Sequence, residues 1–148
     1  MMRVVLDTNV VVSGSLWSGA PRRVMQAVAE GKLKPLVSEA MLDELNDVLE
    51  RSKFSERLKL VGKTAGQIVQ EYAAKAEIIV TQPLAESVAS DPDDDMFLAC
   101  AVSGKAQKIV SGDPHLLTIK QYQAIPIVTV ENILALLSNH QNDENKPE

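Results

Sequence analysis

Four acidic residues have positions at which a carboxylate could do chemistry. Asp7 follows the apolar run Val4–Leu6 directly, and Asp113 follows a later apolar strand, while Glu44 and Asp94 fall on the inner faces of predicted helices. Four such groups close together would repel one another and raise one another's pKa values. A hard divalent cation removes that penalty, and all-oxygen ligands favour Mg²⁺ or Mn²⁺ over zinc.

The segment "DPDDDMFLACAV" predicts a helix that contains one of these acids. Asp91 as N-cap followed by Pro92 is what a helix start favours, so these two residues have an ordinary structural explanation. At 100° per residue, Asp94 lies near the centre of the apolar face and Asp95 lies on its edge. A carboxylate on a buried face is costly unless it is paired or binds a metal. We therefore favour Asp94, with Asp91 and Asp95 as second choices.

A second predicted helix, from Glu39 to Arg51, has an apolar face, and four acids, Asp43, Glu44, Asp47 and Glu50, follow its first turn. Glu44 lies nearest that face, whereas a solvated charged surface is the usual explanation for such residues. Ser111 stands two residues before Asp113, where its hydroxyl could donate to a carboxylate or only turn the chain.

Short apolar strands that alternate with helices predict an α/β fold with a central, mostly parallel sheet flanked by helices. We expect turns at Ser13-Gly14 and Ser18-Gly19. The predicted strands are residues 4–6, 34–38, 77–80, 107–113 and 125–130. The predicted helices are residues 21–30, 39–51, 54–61, 65–76, the segment that begins at 91, a short turn at 114–117 and a closing helix to about 138. In such folds ligands bind beyond the carboxyl ends of the strands, where Asp7 and Asp113 are expected.

Length and composition favour one domain, residues 1–138, and a polar tail, residues 139–148, that we expect to be disordered. The chain has 148 residues and a single cysteine, so an internal disulfide is excluded. No signal-peptide pattern and no apolar run near the ~20 residues of a membrane span are present. We expect a cytoplasmic protein with no membrane partner.

Net charge is −5, which by itself disfavours a nucleic-acid partner. Seven of the 20 acids belong to the motifs above, and without them 13 acids face 15 lysines and arginines. The excess negative charge is therefore concentrated at the candidate site, and a polyanionic substrate is not excluded. Aromatic residues make up 3% of the chain, which disfavours a broad base-stacking surface.

Three blocks, "VVLDTNVVVSG", "LVSEAMLDELNDVLERSKF" and "DPDDDMFLACAVSGKAQKIVSGDPHLL", resemble the PIN domain family in order and roughly in spacing. The resemblance runs from about Arg3 to Leu137 and is closest to the toxin components of bacterial toxin–antitoxin pairs. It implies a three-layer PIN fold and a Mg²⁺- or Mn²⁺-dependent endoribonuclease that cleaves single-stranded RNA.

The resemblance also implies roles for individual residues. The metal-binding and catalytic acids would be Asp7, Glu44, Asp94 and Asp113, with Asp95 fitting the third position equally well by alignment alone. Asn9 and Ser111 match polar positions that support the metal site. A cognate antitoxin and a homodimer are the implied protein partners, and the helices around residues 54–76 could form the dimer surface. Four basic residues are candidates for holding RNA, although scattered surface charge is the more common explanation for any one of them: Arg22, Arg23, Arg51 and Lys53.

Three other functions stay open at this point. Asp7 could be the covalent acceptor of a phosphotransferase, although haloacid-dehalogenase-like enzymes usually have a second Asp two residues on, where this chain has Asn9. The acids could be helix caps in a non-catalytic RNA- or protein-binding module. A PIN nuclease of RNA processing, outside any toxin–antitoxin pair, would have the same acids.

Overall fold

The computed structural model describes residues 1–84 and 94–144, without the side chains of residues 140–144. The strands in these ranges are β1 (Met2–Leu6), β2 (Leu33–Val37), β3 (Glu77–Ile78), β4 (Lys108–Val110), β5 (Gln121–Tyr122) and β6 (Ile125–Val128). The helices are α1 (Thr8–Leu16), α2 (Ala20–Ala29), α3 (Glu39–Leu49), α4 (Ser55–Val61), α5 (Ala65–Lys75), α6 (Asp95–Gly104), α7 (Pro114–Leu117) and α8 (Val130–Glu144). A 3-10 turn at Ser52–Phe54 precedes α4.

The described strands form one sheet in the order β3-β2-β1-β4-β6-β5. All neighbours are parallel except β5, which pairs antiparallel with β6. This confirms the predicted α/β fold with a mostly parallel sheet. The chain passes from β1 to β2 on one side and later returns to β4 on the other side. A change of direction at β1 creates the crevice in which α/β proteins bind ligands.

Helices cover both faces of the sheet, as adjacent residues of β2 show. Leu36 faces α6, because a Cβ placed on Gly104 at the end of that helix would lie 2.9 Å from its side chain. Val37, the next residue, lines a small cavity with Val11 of α1 and Leu45 of α3. Successive strand residues point to opposite faces, so the sheet is the middle layer between helices.

The first helix corrects the sequence prediction. Residues 13 and 14 are not a turn but lie within α1, which is continuous from Thr8 to Leu16. Because Val10, Val11 and Val12 are all buried, α1 lacks the polar face by which a helix is recognised in a sequence. Gly14 is needed for packing, since a Cβ there would lie 2.5 Å from the Pro21 carbonyl oxygen of α2.

Other elements also differ from prediction, beginning with β3 and β6, which end two residues earlier than expected, at Ile78 and Val128. Strand β4 ends at Val110, so Asp113 is not its last residue but the N-cap of α7. Helix α8 continues to Glu144 instead of ending near Ser138, since its sequence has no proline before Pro147 and no glycine after residue 130. Residues 139–144 are thus part of α8, and the division into a domain and a disordered tail stays a prediction. Strand β5 has two residues, too few for a sequence pattern.

None of the helices in the described ranges is both long enough and apolar enough to cross a membrane.

Candidate functional site

Asp7 and Ser111 meet at the carboxyl edge of the sheet because their strands are neighbours. Leu6 of β1 pairs with Val110 of β4, so the next residue of each strand leaves the sheet beside the other. The Asp7 backbone N–H donates to the Val110 carbonyl at 3.0 Å. The Ser111 hydroxyl donates to Asp7 Oδ2 at 2.6 Å, and Asp7 is only 5% exposed. The parallel register thus positions a buried, hydrogen-bonded carboxylate at the predicted ligand-binding edge.

Asp113 is connected to the same group. Its backbone N–H donates to Ser111 Oγ at 2.9 Å, and its own carboxylate accepts the His115 N–H at 2.9 Å as the cap of α7. The Ser111 hydroxyl therefore accepts from the backbone N–H of Asp113 while it donates to the carboxylate of Asp7. Of its two sequence explanations, hydrogen bonding to a carboxylate is the one that the structure supports.

The pKa of Asp7 is raised above its ordinary value, chiefly because burial removes the carboxylate from water. The hydroxyl of Ser111 and the nearby backbone N–H groups of Asn9 and Thr8 lower it, while the negative charge of Asp113 raises it. The two carboxylates are thus close enough to repel each other. A cation between or beside them would reduce both the cost of burying Asp7 and the repulsion from Asp113.

Glu44 reaches this region through Thr8, a contact that sequence reasoning missed. The Thr8 hydroxyl donates to Glu44 Oε2 at 2.5 Å, and Thr8 is buried directly after Asp7. Glu44 is half-buried, whereas Asp43 and Asp47 on the same helix are exposed, as the apolar-face argument predicted. Asn9, the predicted support, has an exposed side chain. Recognising that the helix begins at Thr8 would have placed Thr8 inside and Asn9 outside.

Asp94 and Asp95 stand at the start of α6, with Asp94 as its N-cap residue. Both are half-buried, so exposure does not choose between them as the third acid. Helix α6 packs against β1, β4 and α3, which brings its N-terminal end toward the other acids. Asp91 lies outside the described residues.

The donor set is chemically suited to a hard divalent cation. Asp7, Asp113 and Glu44 offer only oxygen ligands, which Mg²⁺ and Mn²⁺ prefer, and the buried carboxylate of Asp7 is destabilised without a positive charge. Within residues 1–84 and 94–144, however, no group of three or more acidic, histidine or cysteine side chains is close enough to hold a metal ion. The contacts described above connect Asp7 with Asp113 through Ser111, and Glu44 with Thr8, the residue after Asp7.

The chain belongs to the PIN domain family, whose sequence profile matches residues 3–115. In fold it is similar to a solved structure described as VapBC2 from Rickettsia felis bound to a DNA fragment from their promoter. The superposition has a TM-score of 0.58 and covers 86% of this chain and 98% of that chain, at 14% sequence identity. No curated protein sequence matches the chain significantly. The PIN assignment confirms the resemblance and favours a nuclease over the phosphotransferase alternative.

Proposed function

We propose that this protein is a divalent-metal-dependent endoribonuclease that cleaves single-stranded RNA. The proposal depends above all on Asp7, a buried carboxylate fixed by Ser111 at the carboxyl end of the central strand. Asp7 is the N-cap residue of α1 but makes no side-chain cap hydrogen bond, so capping does not explain its burial, which raises its pKa. In a PIN domain, a metal-binding role accounts for that cost.

Asp7, Glu44 and Asp113, with Asp94 or Asp95, would hold Mg²⁺ or Mn²⁺ directly or through water. When bound, the ion would lower the pKa of a water molecule and stabilise negative charge on the phosphate. Ser111 orients Asp7 by occupying one carboxylate oxygen, and Thr8 does the same for Glu44. Water attack in line with the scissile bond would leave a 5′-phosphate and a 3′-hydroxyl.

We further propose that the nuclease is the toxin of a toxin–antitoxin pair in the cytoplasm. The solved structure of similar fold is a VapBC2 assembly bound to promoter DNA, which supports a cognate antitoxin as the protein partner. A homodimer through the helices around residues 54–76 belongs to the same proposal. The alternatives are an RNA-processing PIN nuclease without an antitoxin and a non-catalytic binding module.

The first experiment compares cleavage of a labelled single-stranded RNA by the wild type, Asp7→Asn and Glu44→Gln, in Mn²⁺, Mg²⁺ or EDTA. Asp43→Asn is the matched control, because Asp43 is exposed on the same helix as Glu44. We expect EDTA to abolish cleavage and each site variant to lower it by more than about 100-fold, since even the loss of a residue that only supports a metal ligand costs 10–100-fold. Asp43→Asn should cleave like the wild type.

Asp94→Asn and Asp95→Asn, tested in parallel, identify the third acid. The variant that loses activity marks the ligand, and we expect this to be Asp94. Calorimetric titration with Mn²⁺ provides a readout that does not depend on the RNA chosen: the wild type should bind and Asp7→Asn should not. Equal Mn²⁺ binding by both proteins would contradict the metal site at Asp7, and metal-independent cleavage would contradict the mechanism.

A further inference from the structure

A strongly basic segment lies outside the candidate metal site. Residues 51–63, which include the 3-10 turn and α4, hold five basic residues and one acid, Glu56, in a chain whose net charge is −5. The basic residues are Arg51, Lys53, Arg57, Lys59 and Lys63. Helix α4 has no buried residue, and Leu60 on it is 76% exposed. Leu58 and Val61 pack this segment against the core, and Lys63 pairs with Glu71 at 2.8 Å, while Arg51, Lys53 and Lys59 are exposed to solvent.

Two aromatic rings stand at the start of this segment, next to two of its cations. Trp17, which follows α1 and is 39% exposed, packs edge-to-face against Phe54 with ring centroids 5.9 Å apart. The Arg57 guanidinium lies 5.4 Å from the Trp17 ring, and Lys53 Nζ lies 5.1 Å from the Phe54 ring. Arg57 is also fixed by donating from Nε to the Leu16 carbonyl at 2.6 Å, which ends α1. We call these four residues the Trp17 cluster.

We propose that the Trp17 cluster and the basic residues of α4 form a binding surface for the single-stranded RNA substrate. This inference rests on the proposed ribonuclease function. Partly exposed aromatic rings beside cations are elements that bind single-stranded nucleic acid: bases stack on the rings, and the cations hold the phosphates. Two rings can stack on one or two bases, which agrees with the expectation that a broad base-stacking surface is absent.

The position of the cluster suits a substrate that continues from the metal site. Helix α1 begins at Thr8, beside Asp7, and ends at Leu16, beside Trp17. Nine helical residues span about 13 Å, so the metal site and the Trp17 cluster are separated by the length of a few nucleotides. A protein partner, such as the second copy proposed above to bind through the helices around residues 54–76, would also cover Trp17 and Leu60. The excess positive charge of residues 51–63 favours a polyanion on this part of that surface, which leaves α5 for a dimer contact.

Trp17 is the only tryptophan of the sequence, so its fluorescence reports on this surface directly. The probe is a labelled RNA of roughly 12 nucleotides made of adenosine and cytidine, which does not fold on itself. It is titrated in EDTA into the wild type, Lys53→Gln and Trp17→Leu, with both fluorescence and polarisation recorded. Lys105→Gln is the matched control, because Lys105 is exposed at the end of α6, away from the carboxyl edge of the sheet.

We expect RNA to quench the wild-type fluorescence, and the dissociation constant to rise at least about 5-fold in Trp17→Leu and 2-fold or more in Lys53→Gln. Lys105→Gln should bind like the wild type. Binding by polarisation without a change in fluorescence, and with Lys53→Gln unchanged, would overturn the inference while leaving the nuclease intact. No binding by the wild type would also overturn it, and the cleavage assay then decides separately on the proposed function. The fluorescence arm needs no variant, so a poorly folded Trp17→Leu would not invalidate the test.

Discussion

At the scale of single residues, the charge of Asp7 should destabilise the metal-free protein. Its pKa in the folded state lies above the ordinary value of 3.8, so the folded state binds a proton more tightly than the unfolded state does. The free energy of unfolding then falls as the pH rises through the folded-state pKa, and the cost is absent below pH 3.8. The buried charge therefore lowers stability at neutral pH, a cost that the proposed metal site would explain.

Asp7→Asn removes the charge and should raise the melting temperature in EDTA at pH 7 to 8. The difference from the wild type should shrink as the pH is lowered toward the ordinary pKa of an aspartate. Added Mn²⁺ should raise the melting temperature of the wild type and leave that of Asp7→Asn unchanged. Thermal unfolding over a pH series with and without Mn²⁺ measures both effects. A lower melting temperature for Asp7→Asn at every pH would show that the carboxylate stabilises the fold.

The buried hydroxyl of Tyr72 on α5 is a second feature that should lower the stability of the fold. The side chain is 4% exposed, and no hydrogen-bond partner for its hydroxyl oxygen lies among the described residues. Tyr72→Phe should therefore raise the free energy of unfolding by about 1 kcal/mol, since it removes a buried polar group without a partner. Urea denaturation provides the measurement. Destabilisation instead would indicate a buried water in the small cavity that Tyr72 shares with Thr8.

Some contacts of the candidate site could be predicted from the sequence and others could not. Asp7 and Ser111 could be placed together because both follow apolar strands, and parallel strands end at one edge. The link from Thr8 to Glu44 could not be found, because it depends on where α1 begins, and α1 is buried on nearly every side. Helical periodicity favoured Asp94 over Asp95, but the similar exposure of both leaves that choice to experiment.

At the scale of elements, the contact between α1 and α2 depends on Gly14. A Cβ there would lie 2.5 Å from both the Pro21 carbonyl oxygen and Met25 Cγ, so Gly14→Ala should separate the helices and destabilise the fold by about 1–3 kcal/mol. Gly66→Ala in α5 is the control. Its nearest neighbour would be Thr64 Oγ1 at 3.9 Å, and replacing an exposed helical glycine should stabilise by about 0.5–1 kcal/mol. Equal changes in the free energy of unfolding for Gly14→Ala and Gly66→Ala would contradict close packing of α1 against α2.

Elements with an alternating or periodic pattern were predicted well, and those without one were not. Ser38 caps α3 as expected, accepting the Met41 N–H, and α5 was predicted to within a residue. By contrast, α1 has no polar face, β5 has two residues, and the end of β4 was placed too late. The structure of these three elements depends on contacts with residues distant in the sequence, and such contacts cannot be predicted from a local pattern.

At the scale of the whole molecule, charge is separated: Asp7 and Asp113 lie close to each other at the candidate metal site, and five basic residues lie within residues 51–63. RNA binding should therefore depend steeply on salt in spite of the negative net charge. With three or four phosphate contacts, the association constant should fall roughly 20- to 50-fold between 50 and 200 mM salt. Lys53→Gln should flatten the slope of the logarithmic plot by about 0.7, and Lys105→Gln should not change it. Polarisation titrations at several salt concentrations test this, and identical slopes for all three proteins would exclude phosphate contact at Lys53.

The hydrogen bond between Ser111 and Asp7 joins residues that are 104 positions apart in the chain. During synthesis Asp7 leaves the ribosome first, and at 5–20 residues per second the strand that completes its surroundings follows only after roughly 5–20 s. Until then the central strand of the sheet lacks its neighbour on one side. A nascent chain therefore has no assembled site before β4 is made, so a nuclease of this topology would be able to cut RNA only after Ser111 has left the ribosome.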